Sequence, residues 1–424
     1  MPALFDIAST LTVIFAILLV GNVATQLWLN SRQARHVLTH RDQVPAAFAQ
    51  SVSLTDHQKA AAYTMAKLRL ANWSLLLNAV ILLAWTLMGG LDALNTALLA
   101  VLGAGMSQQL ALLGCVTLIG AVIDLPLSWW RTFKLEAEFG FNKSTFKLWV
   151  SDLLKGAVLG AALGLPLAWV ALWLMATAGP LWWLYVWGVW AGFNALMLVV
   201  YPKWIAPRFN KFSPLTREDV RETADALIAQ CGFKSEGLFV MDGSRRSAHA
   251  NAYFTGFGKS KRVVFYDTLL DRLTVPEVKA VLAHELGHFA HRHIRKRLIG
   301  LFAISAGALA ILSWLANQLW FYVGLGVTPN LTGPNDAVAL ILFMFTLPLI
   351  TFFISPLLAG FSRKDEFEAD AYACQHAEGT ALQSALTKLY KDNASTLTPD
   401  PIYTRFYASH PAAIERIQRI ASAV

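Results

Sequence analysis

Long apolar stretches separated by polar segments dominate the chain. Residues 8–30 carry no charged side chain, and 23 helical residues reach about 35 Å, enough to cross the hydrocarbon core of a bilayer. Residues 1–7 contain no Lys or Arg, which favours a membrane span over a cleaved signal peptide. Six further spans are predicted at 70–89, 107–130, 149–177, 181–201, 298–324 and 337–361. The apolar stretch 91–106 holds Asp92 and Asn95, which predicts an outer loop or a half-helix.

The segments between the spans alternate in charge. Four of them contain no Lys or Arg, namely 1–7, 90–106, 178–180 and 325–336. Four are basic, namely 31–69, 131–148, 202–297 and 362–424. Cytoplasmic loops of membrane proteins carry the excess of Lys and Arg, so this alternation predicts an N-terminus outside and a C-terminus in the cytoplasm.

Composition agrees with a polytopic membrane protein. The chain has 424 residues, of which 56% are hydrophobic and 15% charged, and its mean hydropathy is +0.47. A net charge of +8 could indicate nucleic acid, but the basic residues lie in loops beside apolar spans, so no nucleic-acid partner is expected. Cys115, Cys231 and Cys374 show no paired spacing and are interpreted as reduced thiols.

The largest segment outside the spans, 202–297, has a mixed pattern. Residues 216–231 read as an amphipathic helix, and Gly237–Met241 and Arg262–Tyr266 read as strands. Residues 247–253 lie between these two strands, show an alternating residue pattern, and could form a third strand. The segment is therefore predicted to be a small α+β unit.

This unit ends in His284-Glu285-Leu286-Gly287-His288. A capping box at Thr274 and an apolar stripe predict a helix, which places His284 and His288 one turn apart on one face. Two such imidazoles can share one zinc ion, and Glu285 would then lie beside the open coordination position as general base and later general acid. The alternative is an amphipathic helix with two incidental histidines.

Two histidines leave zinc one protein ligand short. A histidine six residues after His288 could supply that ligand, but position 294 is isoleucine. A carboxylate on a second helix is the other option, and Glu366 and Asp370 lie one turn apart after the last span. Glu366 could bind zinc while Asp370 accepts a hydrogen bond from a ligand histidine. The alternative is a solvated acidic helix start.

These residues resemble the type I CAAX prenyl endopeptidases, seven-span membrane zinc proteases of the gluzincin group. The resemblance covers nearly the whole chain. Its motifs, besides the histidine helix, are Phe139–Lys143, Ile205–Lys211, Asn251–Tyr253, Ser362–Asp370, Ser409–Pro411 and Glu415–Arg416.

The resemblance implies further roles and a fold. It makes Glu366 the third zinc ligand and Asp370 the acid behind a ligand histidine, and it assigns His410 and Arg416 to stabilising the oxyanion. Asn251, with His249, would belong to an edge strand that aligns the substrate backbone. The spans would enclose a water-filled chamber. Polar residues inside the spans would line this chamber or mediate helix contacts; they are Asn22, Asn78, Asp124 and Asn194.

The predicted protein is mainly α-helical, with seven transmembrane helices around a chamber and a small α+β zinc-peptidase unit. Its segments are a membrane domain (1–201), the cytoplasmic peptidase unit (202–297), spans six and seven (298–361) and a cytoplasmic segment completing the site (362–424).

The expected function is that of a zinc metalloendopeptidase with one ion. It would act on peptides or membrane proteins, lipid-modified ones included, in the bilayer of a bacterial inner membrane. The alternatives are a quality-control protease of the heat-shock type and a transporter with an incidental motif. The extra histidines His291 and His293 are expected to be interfacial basic residues, because on a continuous helix they would point to other faces.

Overall fold

The computed structural model describes residues 2–233, 237–255 and 262–423. Its N-terminal part consists of helices. They are α1 (Pro2–Thr39), α2 (Leu54–Trp85), α3 (Gly90–Leu102), α4 (Met106–Trp130), α5 (Phe146–Thr177) and α6 (Trp182–Val200). Short π-helical segments, Arg131–Glu136 and Tyr201–Ile205, continue α4 and α6.

The short apolar stretch after α2 forms a helix, which matches the half-helix alternative. Gly89 and Gly103 flank α3 with φ angles of 77° and 70°, a backbone region that glycine adopts without steric cost. Within the helical pair that follows, Gln108 Nε2 donates to Asn95 Oδ1 over 2.6 Å, so both buried amides find a partner.

The α+β unit follows the sixth helix. Its elements are β1 (Phe212–Pro214), α7 (Glu218–Gln230), β2 (Leu238–Met241), β3 (Ala252–Thr255), β4 (Arg262–Tyr266), α8 (Asp267–Leu270) and α9 (Val275–Ala290). The strands described form one sheet in the order β1-β2-β4-β3, parallel between β2 and β4 and antiparallel elsewhere. The strand β3 therefore lies at one edge.

The third strand starts later than the sequence predicts. Residues 247–251 are not part of β3, because a distant side chain binds their backbone. Asn393 Oδ1 accepts from Ala250 N over 3.0 Å, and Asn393 Nδ2 donates to Ala250 O over 3.2 Å. These bonds replace the ladder bonds that alternation alone would predict.

The C-terminal third returns through the membrane and then covers the peptidase unit. Its helices are α10 (His293–Leu315), α11 (Leu319–Gly324), α12 (Asp336–His376), α13 (Gly379–Asp392), α14 (Pro401–Tyr407) and α15 (Ala413–Ala423). The helix α12 continues through Pro348 and Pro356. The carbonyl of Phe352, which Pro356 leaves without its helical donor, accepts from Ser355 Oγ over 2.7 Å.

Within the described part of the chain, seven helical stretches are long and apolar enough to cross a membrane. They are Asp6–Thr39, Leu54–Trp85, Met106–Glu136, Phe146–Thr177, Gly179–Arg208, His293–Leu315 and Asp336–His376. Each overlaps one predicted span, so the seven-span architecture is confirmed. Several helices exceed the predicted bounds, because hydropathy marks only the apolar portion. For example, α2 begins where Ser53 caps it by accepting from Asp56 N.

Polar side chains inside the spans differ in exposure. Asn22 is 4% exposed and donates to Leu349 O on α12, which makes it a helix contact. Asn78 and Asp124 are exposed on their spans. A carboxylate in lipid is costly, so a water-filled chamber stays our prediction for the surroundings of Asp124.

One hydrophobic core unites the peptidase unit with the C-terminal segment. It includes Leu282 and Leu286 of α9, Phe265 of β4, Leu382 of α13 and Ile420 of α15. The predicted division between 202–297 and 362–424 remains a prediction, but this shared core means that both segments build the surroundings of α9.

Candidate active site

The helix α9 carries the two histidines on one buried face. The capping box is formed, with Thr274 and Glu277 bonding reciprocally at the first turn. Leu282 and Leu286 are buried in the core below, which fixes the rotation of the helix. As a result the rings of His284 and His288 face the same space, with centroids 4.9 Å apart.

Glu366 on α12 completes a group of three. Its Oε2 lies 3.4 Å from His284 Nε2, and its Oε1 lies 3.4 Å from His288 Nε2. Tetrahedral zinc with ligand bonds of about 2.0–2.2 Å places neighbouring ligand atoms about 3.4 Å apart. The buried Oε2 has no hydrogen-bond partner among the described residues. A buried carboxylate oxygen without a donor is costly, so the group fits a metal ion.

Gly287 allows the two helices to come this close. A Cβ atom at this position would lie 2.9 Å from Ala369 Cα and 3.1 Å from Ala369 O, both backbone atoms of α12. Such contacts are shorter than carbon atoms tolerate. The glycine between the two histidines therefore has a packing reason, which is the approach of α12 to α9.

A buried ion pair holds His284 from behind. His284 Nδ1 lies 2.9 Å from Asp370 Oδ1, so the ring can donate there and leave Nε2 free toward Glu366. Asp370 in turn accepts from Arg416 Nε over 2.8 Å and from Arg416 Nη2 over 2.6 Å. The remaining Arg416 Nη1 lies 3.9 Å from Glu366 Oε2. Arg416 thus neutralises part of the acidic charge behind the site.

The surroundings shift the pKa values of the two histidines in opposite directions. Burial lowers the pKa of His284, but its contacts with Asp370 and Glu366 outweigh this and raise the pKa to about 9. Burial and the charge of His284 lower the pKa of His288 to about 3. A cation bound in this group would take the place of the proton on His284.

Glu285 lies between the two histidines in sequence and is half-buried. Burial raises the pKa of its carboxyl group above the ordinary value, while the neighbouring charge of His284 acts in the opposite direction. A raised carboxyl pKa suits a group that takes a proton and later returns it.

His410 stands on the open side of the group. Its side chain is 62% exposed, and its Nε2 lies 3.5 Å from Glu366 Oε1. It lines a cleft of about 530 Å³ together with residues of α2 and the chain around α14, among them Thr64, Tyr403 and Ser409. Through His410, the cleft lies next to the three-residue group.

His249 and Asn251 have contacts with residues outside the three-residue group. Asn251 is exposed directly before β3, and its side chain accepts from Ala252 N over 2.8 Å. His249 stacks on Phe141 at 4.2 Å between ring centroids, and its Nε2 lies 3.4 Å from Glu136 Oε2. His249 thus connects the peptidase unit to the end of the third span, a contact that sequence reasoning did not foresee.

The expectation for His293 is wrong. It is 1% exposed, not interfacial, and its Nδ1 lies 2.9 Å from His288 Nδ1. The reason is that α9 and α10 are separate helices. Arg292 between them adopts a left-handed conformation with φ of 57°, so the side-chain directions of a continuous helix do not apply. His291 is exposed, as expected for a surface residue.

Comparison with known proteins agrees with this architecture. Two family models match: "CAAX prenyl protease N-terminal, five membrane helices" over residues 33–211 and "Peptidase family M48" over residues 214–424. The CAAX prenyl protease 1 homolog of Oryza sativa subsp. japonica is 35% identical over 329 residues, 74% of each chain. CAAX prenyl protease 1 of Saccharomyces cerevisiae is 33% identical over 326 residues, 74% of this chain and 72% of its own. The crystal structure of S. mikatae Ste24p superimposes with a TM-score of 0.90 at 28% identity, covering 97% of this chain and 99% of that one.

Proposed function

Because this chain belongs to the CAAX prenyl protease family of M48 peptidases and is therefore an integral-membrane metalloendopeptidase, we propose that it works with one zinc ion bound by His284, His288 and Glu366. The observation that carries the proposal is the buried Glu366 carboxylate, whose two oxygens each face one imidazole nitrogen. Its Oε2 has no hydrogen-bond donor among the described residues. When bound, the ion would act as a Lewis acid toward the scissile carbonyl and the attacking water.

Glu285 is the proposed general base and then general acid. In this role its carboxylate would lie beside the open side of the three-ligand group. The carboxylate would accept a proton from the attacking water and deliver it to the leaving amine. The raised pKa of this half-buried carboxyl group supports both transfers.

Negative charge that develops on the carbonyl oxygen needs donors. His410 Nε2 is exposed toward the cleft and can turn to such an oxygen. Two nitrogens of Arg416 donate to Asp370, so only Nη1 of Arg416 would be left to donate to the carbonyl oxygen. The proposed role of Arg416 is therefore mainly to hold Asp370 and, through Asp370, the His284 ring.

The outer edge of β3 is the proposed guide for the substrate backbone. The strand pairs with β4 on one side, and no described strand pairs with its other side, where an extended peptide could bind main-chain groups. Asn251 stands exposed at the start of this edge and would contact the peptide. His249 would support the edge by its stacking on Phe141 and its contact with Glu136.

We propose that the substrates are membrane-associated peptides or proteins, lipid-modified ones included. The name of the relatives, CAAX prenyl protease 1, supports this substrate class. The Lys and Arg distribution supports an N-terminus outside and a cytoplasmic peptidase unit, and a bacterial inner membrane stays our prediction for the location. The comparisons favour neither a heat-shock-type protease nor a transporter.

The test uses the full chain in detergent or liposomes. Metal content is measured by mass spectrometry, and cleavage is measured on matched peptides that carry or lack a prenyl group on the same cysteine. We expect one zinc ion per chain and faster cleavage of the prenylated peptide. Equal rates would contradict the lipid preference, and activity without bound metal would contradict the proposed mechanism.

A further inference from the structure

The junction between α9 and α10 builds a second support for the site. Arg292 turns the chain with a φ of 57°, a conformation that is uncommon for a residue with a Cβ atom. The turn directs His293 inward, where its side chain is 1% exposed. A fully buried imidazole needs partners for both ring nitrogens.

Both nitrogens of His293 have a partner. Its Nδ1 lies 2.9 Å from His288 Nδ1, and its Nε2 lies 3.0 Å from Glu368 Oε2. A carboxylate can only accept, so Nε2 of His293 carries a proton, and in the neutral imidazole Nδ1 is then an acceptor. The proton in the His288 contact must then sit on His288 Nδ1. This tautomer leaves His288 Nε2 unprotonated, facing Glu366 Oε1 at 3.4 Å.

The two proposed ligand histidines therefore have different supports. His284 donates directly to Asp370. His288 reaches the carboxylate of Glu368 only through the ring of His293. A partner on the distal nitrogen fixes both the tautomer and the orientation of a ligand histidine.

A second metal site is the competing explanation. His293, Asp365 and Glu368 each offer an atom within 4.8 Å of the others. Their charges are already engaged, however. Arg297 Nε contacts Asp365 at 3.1 Å, and Lys364 Nζ lies 3.8 Å from Glu368 Oε1. Two nearby cations make this group a poor site for a third.

We propose that His293 is a positioning residue, which fixes His288 in the metal-binding tautomer and transmits the support of Glu368 to it. The proposal rests on the proposed zinc site and goes beyond it, because no other feature of the site requires His293.

A pair of amide substitutions tests this role. His293→Asn places an amide oxygen near the position of Nδ1, where it can still accept from His288. His293→Gln places the amide near the position of Nε2, so that it can reach Glu368 but not His288. His291→Asn is the matched control, because His291 is exposed two residues away. Each full-length variant is loaded with zinc or cobalt, and metal affinity is measured by competition with a chelator.

We expect His293→Gln to bind metal about 10–100-fold more weakly, the usual effect of losing an outer partner of a ligand histidine. The visible absorption of the cobalt form should change with it. His293→Asn should lose less affinity than His293→Gln, because it keeps an acceptor for His288 and gives up only the contact with Glu368. His291→Asn should remain near wild type. Thermal unfolding of the metal-free variants checks the fold, and equal losses in the Asn and Gln variants would overturn the proposal.

Two further outcomes separate this inference from the zinc site itself. If Glu366→Ala loses the metal but His293→Gln binds it like wild type, only the positioning role is wrong. If Glu366→Ala retains the metal, the proposed zinc site is wrong whatever His293 does. A wild-type content of two ions that falls to one in His293→Gln would make His293 a ligand of a second site and overturn the positioning role.

Discussion

Glu285 illustrates why one side chain can be separated from the metal site around it. The two histidines of the same motif are held by other residues: His284 contacts Asp370, and His288 contacts His293. None of these contacts involves the Glu285 carboxylate. Its removal should therefore affect proton transfer without disturbing the group that binds the ion.

We predict that Glu285→Gln keeps the metal and the fold but loses peptidase activity by roughly 10²–10⁴-fold, the usual contribution of a positioned general base. The amide has nearly the same shape but cannot take the proton. Turnover and metal content are measured on the same preparation. Near-normal turnover would remove Glu285 from the mechanism, and loss of metal with activity would make the residue structural.

Glu366 and Glu368 offer a matched comparison two residues apart. On a helix they point about 200° apart. Glu366 is 3% exposed and faces the two histidines, whereas Glu368 contacts His293. We predict that Glu366→Ala loses the stoichiometric metal and that Glu368→Ala keeps it, with an affinity lowered through His293. Mass spectrometry of both purified variants decides this. Metal loss in Glu368→Ala alone would show that α12 has been assigned in the wrong rotation.

At the scale of elements, the site is the contact between α9 and α12, and the sequence predicted both helices. It predicted the histidine pair from spacing and the carboxylate from its place after the last span. It did not predict the turn at Arg292, since a left-handed residue is usually marked by Gly or Asn. Nor did it predict the late start of β3, because the side chain responsible, Asn393, lies far along the chain.

We predict that Gly287→Ala separates these two helices. The new methyl group would meet backbone atoms of Ala369 at 2.9 Å and 3.1 Å, which cannot move aside alone. Overpacking of this kind costs typically about 1–3 kcal/mol of unfolding free energy, and the metal affinity should fall with it. Gly300→Ala on α10 is the control, since nothing lies within 4 Å of its added Cβ. Equal metal affinity in both variants would contradict the packing role.

The start of α9 should show a pH-dependent contribution to stability. Glu277 is 5% exposed and accepts from Thr274 N, Ser384 Oγ and Lys388 Nζ. Burial raises its pKa, but these donors outweigh burial and hold the pKa below the ordinary value of 4.5. A lowered folded-state pKa means that the stabilisation is complete above the ordinary carboxyl pKa and is lost as pH falls through the folded value.

We therefore predict that Glu277→Gln lowers the unfolding free energy at pH 7 by about 1 kcal/mol, the usual size of a lost cap contact. Unfolding of wild type and variant is compared at pH 7 and at decreasing pH below 4.5. The difference between the two proteins should shrink in acid. A difference that stays constant down to pH 3 would exclude the carboxylate charge as its source.

At the scale of the whole molecule, the group of His284, His288 and Glu366 can form only because two consecutive spans bring the chain back to the same side of the membrane. The spans His293–Leu315 and Asp336–His376 connect His288 to Glu366, whose side chains lie 3.4 Å apart. The sequence predicted this return from the Lys and Arg counts. It contains none in 325–336, against four basic residues within 292–297 and two at 363–364. Which face of the membrane carries the site is a separate matter, since helix packing is the same in either orientation.

Cysteine labelling addresses the orientation. We place single cysteines at Thr332 and Ser422, both exposed, in a background lacking Cys115, Cys231 and Cys374. In sealed cells or right-side-out vesicles, an impermeant thiol reagent should label position 332 at once and position 422 only after the membrane is opened. The reason is that basic segments stay in the cytoplasm while the charge-poor loop crosses. Labelling of 422 alone in sealed vesicles would invert the orientation and place peptide cleavage outside, and labelling of both would contradict the seven-span arrangement.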